Sequence, residues 1–277
     1  MHQTTLILPG YHGSGPAHWQ TWMQERLPGA RRVSGIDWES PILSRWTEAA
    51  RRSILDAPDP VWLVAHSFGC LTAVSAGVGL AGRIAGALLV APADPQRFSS
   101  HGVRTGTRRN SRRSLAADLP FTPLPFPSLV VASRNDPWMR LETVEHWAGL
   151  WGSTVIDIGE AGHINVDSGF GPWPQGLALL RALQSGRFQR LDNVRETIGE
   201  AMGYSNGYSQ PRLPRLIEKL LQSLSPQCSA TRRTSDSEQW MLRLSMIRCQ
   251  AVCGPRSASI VANQVAKSTS VRVGPRW

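Results

Sequence analysis

Ser67, Asp136 and His163 are the residues whose types, order and surroundings could carry chemistry. Ser67 lies in "AHSFGC", after the apolar run "VWLVA" and before "LTAVSAGVGL". A buried strand, a sharp turn on serine and a helix rich in small residues form the layout of a nucleophile elbow. Such a turn exposes the hydroxyl, strains its backbone and aims a helix N-terminus at the reacting centre, where negative charge is favoured. It also asks for small residues two before and two after the serine. Gly69 meets this, and Ala65 adds one methyl. The plain alternative for the same residues is a serine that caps a helix.

A serine hydroxyl is a poor nucleophile near neutral pH and needs a base held by an acid. In this layout the acid and the base follow the serine in chain order, each in a loop after a later strand. "LVVASRNDPW" puts Asp136 just past one strand, and "VIDIGEAGHIN" puts His163 just past the next. Gly159 and Gly162 let that second loop bend back. The competitors are weaker: Asp157 lies within its strand, Asp94 precedes an irregular stretch, and His146 falls in mid-helix. Two backbone donors are expected for an oxyanion, the N–H of Phe68 and, from "LPGYHGSG", that of Tyr11. Gly10, Gly13 and Gly15 suit a backbone that approaches substrate closely. A phosphate-cradling loop would need a lysine and a spacing that this run lacks. Residues 1–186 contain no lysine, which excludes a lysine nucleophile there. His12 and Trp138 are expected to line a substrate pocket, Trp138 because it neighbours Asp136. An apolar pocket of this kind implies uncharged, aromatic or medium-chain acyl groups.

The elements that must position these residues follow from hydrophobic patterning. "TTLILPG", "RRVSGIDW", "VWLVA", "IAGALLVAPAD", "PSLVVAS" and "TVIDIG" read as strands. "HWQTWMQERL", "PILSRWTEAARRSILDA", "CLTAVSAGVGLAG", "RLETVEHWAGLWG" and "PQGLALLRALQSG" read as helices, the second opened by Pro41 in its first turn. Strand–helix alternation with near-continuous apolar strands implies an α/β fold, a mostly parallel sheet with helices on both faces and a minimal cap. Residues 95–127 break the rhythm, first Arg-rich and then Pro-rich, and read as a lid-like insert. Arg97, Arg104, Arg108, Arg109, Arg112 and Arg113 could attract an anion there, or could simply be solvated.

Of the net charge of +10, little belongs to residues 1–186, which hold 16 basic and 14 acidic residues. The remainder, 187–277, reads as a basic, partly disordered C-terminal extension. Within it Leu213, Leu216, Ile217, Leu220, Leu221 and Leu224 give an apolar helical face. That helix, 212–224, could dock on the domain, a partner or an anionic surface. Cys249 and Cys253 are four apart, but no histidine follows His163, so a zinc site is not expected. No cofactor, metal or nucleic acid is called for. Four cysteines, no long apolar run and no leader-like N-terminus imply a cytoplasmic setting.

The runs "LPGYHGSGPAHWQTW", "LVAHSFGC", "LLVAPADPQRF", "LPFPSLVVASRNDPWM" and "IDIGEAGHINVDSGFGPWPQGLALL" resemble the small α/β-hydrolase family of retinoblastoma-binding protein nine and its bacterial relatives. The resemblance spans residues 4–184. It implies a Ser/Asp/His triad at Ser67, Asp136 and His163 on an α/β-hydrolase core, acting on small esters or amides. The stretch 104–113 and the chain beyond about 187 have no counterpart in that family. Three readings stay open: an esterase, an aminopeptidase or amidase on the same triad, and a non-catalytic protein- or anion-binding module. An amidase for free amines would need an acidic seat, for which Asp37, Glu39 and Asp167 are available.

Overall fold

The structure, a computed structural model, describes residues 4–104 and 113–186. The expectations for Arg108, Arg109 and Arg112, for the 187–277 extension and for its 212–224 helix lie outside the described residues. Six strands form one sheet: β1 (Thr5–Leu8), β2 (Ala30–Arg32), β3 (Val61–His66), β4 (Ile84–Val90), β7 (Ser128–Ala132) and β8 (Thr154–Asp157). β5 (Phe98–Ser99) and β6 (Gly102–Val103) make a separate small hairpin. The main sheet runs β2-β1-β3-β4-β7-β8, and every pairing in it is parallel. The order reverses direction after β2, so the ends of β1 and β3 lie side by side where the crossovers diverge. That is the crevice in which open α/β sheets seat ligands.

The helices are α1 (Trp19–Gln24), α2 (Leu43–Leu55), α3 (Phe68–Gly77), α4 (Leu141–Leu150) and α5 (Pro174–Gln184). Alternate residues of each strand feed opposite cores. Leu6, Leu63, Leu89 and Val130 join α2, α3 and α4 on one face. Ile7, Trp62, Leu88 and Val131 join α1 and α5 on the other. Burial on both faces explains why the strands read as continuous apolar runs. Helix α3 is buried along nearly its whole length, which is why its residues are small. Two details differ from the sequence reading. Helix α2 starts at Leu43 with Ile42 at its N-cap, so Pro41 precedes the helix instead of opening it. Helix α1 has six residues, capped by the His18 side chain, which accepts from Gln20 N–H.

The described parts of the 95–127 insert are tied to the domain. Phe98, Leu115, Leu119 and Phe126 are buried in the α2–α3–α4 core. Among the described residues no helix is long and apolar enough to cross a membrane.

Candidate active site

Ser67 sits between β3 and α3 with φ 54° and ψ −122°, a conformation that a non-glycine residue adopts only when its surroundings enforce it. Its N–H donates to Val90 O at 3.0 Å, and Cys70 N–H donates to Ser67 O at 2.9 Å. The strained turn is thus held by β4 in front and α3 behind. The close packing behind it falls on a different neighbour from the one expected. A Cβ on Gly69 would lie 2.3 Å from Leu8 O and 2.5 Å from Pro9 O. The end of β1, more than Ala65, forbids a side chain there. A Cβ on Gly10 would lie 2.8 Å from Ser67 Cβ. Gly10 therefore makes room for the serine itself.

The serine, the histidine and the aspartate are brought together. Ser67 Oγ lies 2.9 Å from His163 Nε2. His163 Nδ1 lies 2.9 Å and 3.0 Å from the two Asp136 carboxylate oxygens. The side chains of His163 and Asp136 are 9% and 3% exposed, so this pair is shielded from water and its hydrogen bond is strengthened accordingly. The geometry assigns Nδ1–H as donor to Asp136 and leaves Nε2 to accept from the serine hydroxyl. Asp136 Oδ1 also accepts from Trp138 N–H at 2.8 Å.

The loop carrying His163 is held by residues that sequence reasoning passed over. Asn135 Oδ1 accepts from Gly162 N–H at 2.7 Å and from the Ser133 hydroxyl at 2.9 Å. Ser133 Oγ accepts from Ala161 N–H, and Ser168 Oγ from His163 N–H. Gly159 and Gly162 take φ of 84° and 55°, the bend expected of them. His66 Nε2–H donates to His163 O at 2.9 Å, linking the residue before Ser67 to the His163 loop. Trp19 Nε1–H donates to Ile164 O at 2.8 Å. Polar side chains next to Ser67, Asp136 and His163 were the available signal, but their partners are mostly backbone atoms, which leave no mark in the sequence.

Three histidine rings form a row, His18–His66 at 5.0 Å and His66–His163 at 4.9 Å between centroids. Burial first, then Arg32 and His163, lowers His18 from 6.5 to about 4. Burial first, then His163 and His18, holds His66 well below its ordinary value. Both rings are neutral near pH 7, so neither adds a cation against His163. Burial raises the Cys70 thiol far above its usual range, which leaves it inert.

At the mouth of the crevice, among the described residues, neither Phe68 N–H nor Tyr11 N–H donates to a protein acceptor. The loop bearing Tyr11 is braced on both sides. His12 N–H donates to Trp38 O, and fully buried Gln20 ties Ser14 to Leu8 O and Val64 O. Trp138 lies 5.9 Å from the His163 ring between centroids. His12 is exposed and hydrogen-bonds Glu39 at 2.7 Å, with no contact to Ser67, Asp136 or His163. Glu39 is thus already paired with His12. Asp157 pairs with Arg134, and Asp94 Oδ1 caps Gln96 N–H, so neither joins the serine. A cavity of about 620 Å³ between α2 and the end of α3, lined by Leu43, Thr47, Ser75 and Leu119, contains none of the three. Among the described residues no three His, Cys, Asp or Glu side chains are grouped as a metal site.

Known proteins share the family and the fold. A family model described as serine hydrolase matches residues 5–182. A YdeN-like hydrolase from Pectobacterium atrosepticum is 38% identical, with 66% of this chain and 90% of that chain covered and a TM-score of 0.55. The ydeN gene product of Bacillus subtilis is 20% identical, with 66% and 99% covered and a TM-score of 0.52, a likeness of fold. No curated protein matches the sequence. With an elbow serine, a buried acid–base pair at hydrogen-bonding distance and a family match across the whole described core, the chain belongs to the serine hydrolase family.

Proposed function

We propose that this protein hydrolyses small carboxylic esters through an acyl-enzyme on Ser67. The observation that carries the reading is the unbroken hydrogen-bonded chain from Ser67 Oγ through His163 to buried Asp136, at 2.9 Å on each side of the ring. His163 Nε2 takes the hydroxyl proton as Oγ attacks the ester carbonyl. Asp136 keeps the ring in the Nδ1–H tautomer and stabilises the imidazolium that forms. The oxyanion is received by the N–H groups of Phe68 and Tyr11, each worth roughly 3–4 kcal/mol in the transition state. Phe68 opens α3, whose N-terminal dipole favours the same negative charge. The imidazolium returns its proton to the leaving alcohol. Water then attacks the acyl-enzyme with His163 again as base.

The test is covalent labelling with a fluorophosphonate probe and peptide mapping, on the wild type and on Ser67→Ala. Label on Ser67 that disappears in the variant is the expected result. A folded wild-type protein that takes no label would overturn the reading. Matched ester and amide substrates then decide which acyl bond is cleaved faster, and the ester is expected to lead.

A further inference from the structure

Two of the arginines in the 95–127 insert are joined by a backbone hydrogen bond, and one of them stacks on Trp138. Arg104 N–H donates to Arg97 O at 2.8 Å, where a one-turn 3-10 helix, Pro95–Arg97, runs into the β5–β6 hairpin. The two residues are thereby adjoined, and adjoining like charges repel. Among the described residues neither guanidinium has an ion-pair partner. Asp94, the carboxylate beside them in sequence, spends Oδ1 on Gln96 N–H.

Both side chains are nevertheless fixed. Arg97 Nη2 donates to Pro137 O at 2.8 Å, and its Cζ sits 5.0 Å from the centre of the Trp138 ring. Arg104 Nη1 donates to Gln96 O at 2.9 Å, and its buried Nε–H has no acceptor. Trp138 in turn lies 5.9 Å from the His163 ring. The separations of 5.0 Å and 5.9 Å put the Arg97 guanidinium carbon within about 11 Å of the imidazole centre. Two anchored guanidiniums without an ion-pair partner among the described residues, one of them stacked on the tryptophan beside the base, make a seat for planar anionic oxygens, which a guanidinium receives in a two-pronged fit.

Building on the reading of Ser67 as nucleophile, we propose that Arg97 and Arg104 select esters whose acyl chain ends in a carboxylate, that is, half-esters of dicarboxylic acids. The carboxylate rests against the arginine pair while the ester carbonyl at the other end of the chain meets Ser67. This reverses the expectation of an uncharged acyl group, because the wall that contributes Trp138 also carries the cation stacked on it.

The experiment compares kcat/KM of the full-length protein for the 4-methylumbelliferyl half-ester of adipic acid and for the neutral hexanoate ester. Arg97→Gln, Arg104→Gln and the double variant are measured alongside. The wild type is expected to favour the half-ester about tenfold or more, in line with charge-assisted hydrogen bonds, and added salt should shrink the preference. Each substitution should lower the ratio of the two rates, the double variant abolishing it. A wild-type ratio near one, or a ratio that the substitutions leave unchanged, overturns the proposal. Binding of both esters to Ser67→Ala, followed by tryptophan fluorescence, separates the two readings. If the wild type cleaves neither ester but Ser67→Ala binds the half-ester more tightly, and loses that preference on Arg97→Gln, the anion seat stands and the hydrolase reading falls. If Ser67→Ala binds both alike, the seat falls.

Discussion

Gly10→Ala should cripple the nucleophile while leaving the protein folded. The new Cβ would lie 2.8 Å from Ser67 Cβ, 3.2 Å from His66 O and 3.4 Å from Ser67 Oγ. Non-bonded carbons rest at about 3.5–4.0 Å, so the loop or the serine must give by about 1 Å. Gly10 does not have a positive φ, so backbone strain adds nothing and the effect is steric. The serine side of the contact is tied to β4 and α3, and the loop side to Trp38 O. Whichever yields, the distance between Ser67 Oγ and the Tyr11 N–H changes. A displacement of about 1 Å at a reacting group costs on the order of a hundredfold in rate, equivalent to roughly 2.7 kcal/mol of barrier. The folding penalty of one extra methyl in a packed site is about 1–3 kcal/mol. The assay is kcat/KM on a neutral ester together with the second-order rate of fluorophosphonate labelling and a thermal melt. Both rates should fall about a hundredfold while the melt stays cooperative. Gly15→Ala serves as the control, because nothing lies within 4 Å of its Cβ. Rates for Gly10→Ala within threefold of wild type would refute the close packing of loop against nucleophile.

Two further outcomes are expected. His18 is held neutral in the folded protein down to about pH 4 but titrates near 6.5 when unfolded. Below pH 6.5 the unfolded chain therefore binds a proton that the folded chain refuses, and stability is lost as pH falls from 6.5 to 4, by on the order of 3 kcal/mol. His66 is depressed in the same direction and adds to the loss. His18→Asn keeps a capping acceptor for Gln20 N–H and should remove about one proton from the pH dependence of urea unfolding in that window; an unaltered slope would contradict the assignment. Asn135→Ala removes the acceptor shared by Gly162 N–H and the Ser133 hydroxyl. It should lower kcat tenfold or more with little change in KM, since it loosens the base loop without touching substrate; an unchanged kcat would show that the loop is held elsewhere.

The order Ser67, Asp136, His163 and the alternation of strand and helix were legible in the sequence, because both are written locally. Apolar runs bounded by glycine and proline mark strands buried on two faces, and the residues just past their ends fall at one edge of a parallel sheet. The elbow at Ser67 was legible for the same reason, as an apolar strand, a small-residue turn and a small-residue helix in direct succession. Local text also misled, as at Pro41. Pro41 fits a first helical turn, yet α2 begins at Leu43.

What only the tertiary structure decided are contacts between segments far apart in the chain. The demand for glycine at 69 comes from the end of β1, some 60 residues earlier. His66 reaches a carbonyl 97 residues away, and Trp19 one 145 residues away. Asn135 and Ser133 act on backbone N–H groups of the next loop, a target with no side-chain signature. His12, with a φ of 69°, is bonded to Glu39, 27 residues away, a pairing that its sequence neighbours do not announce. Arg97 and Arg104 read as two charges in a polar stretch until the fold joined them by a backbone bond and stacked Arg97 on Trp138. Periodicity reports which face of an element is buried; it carries no information about which distant element covers that face, and the second half of this site is made of such pairings.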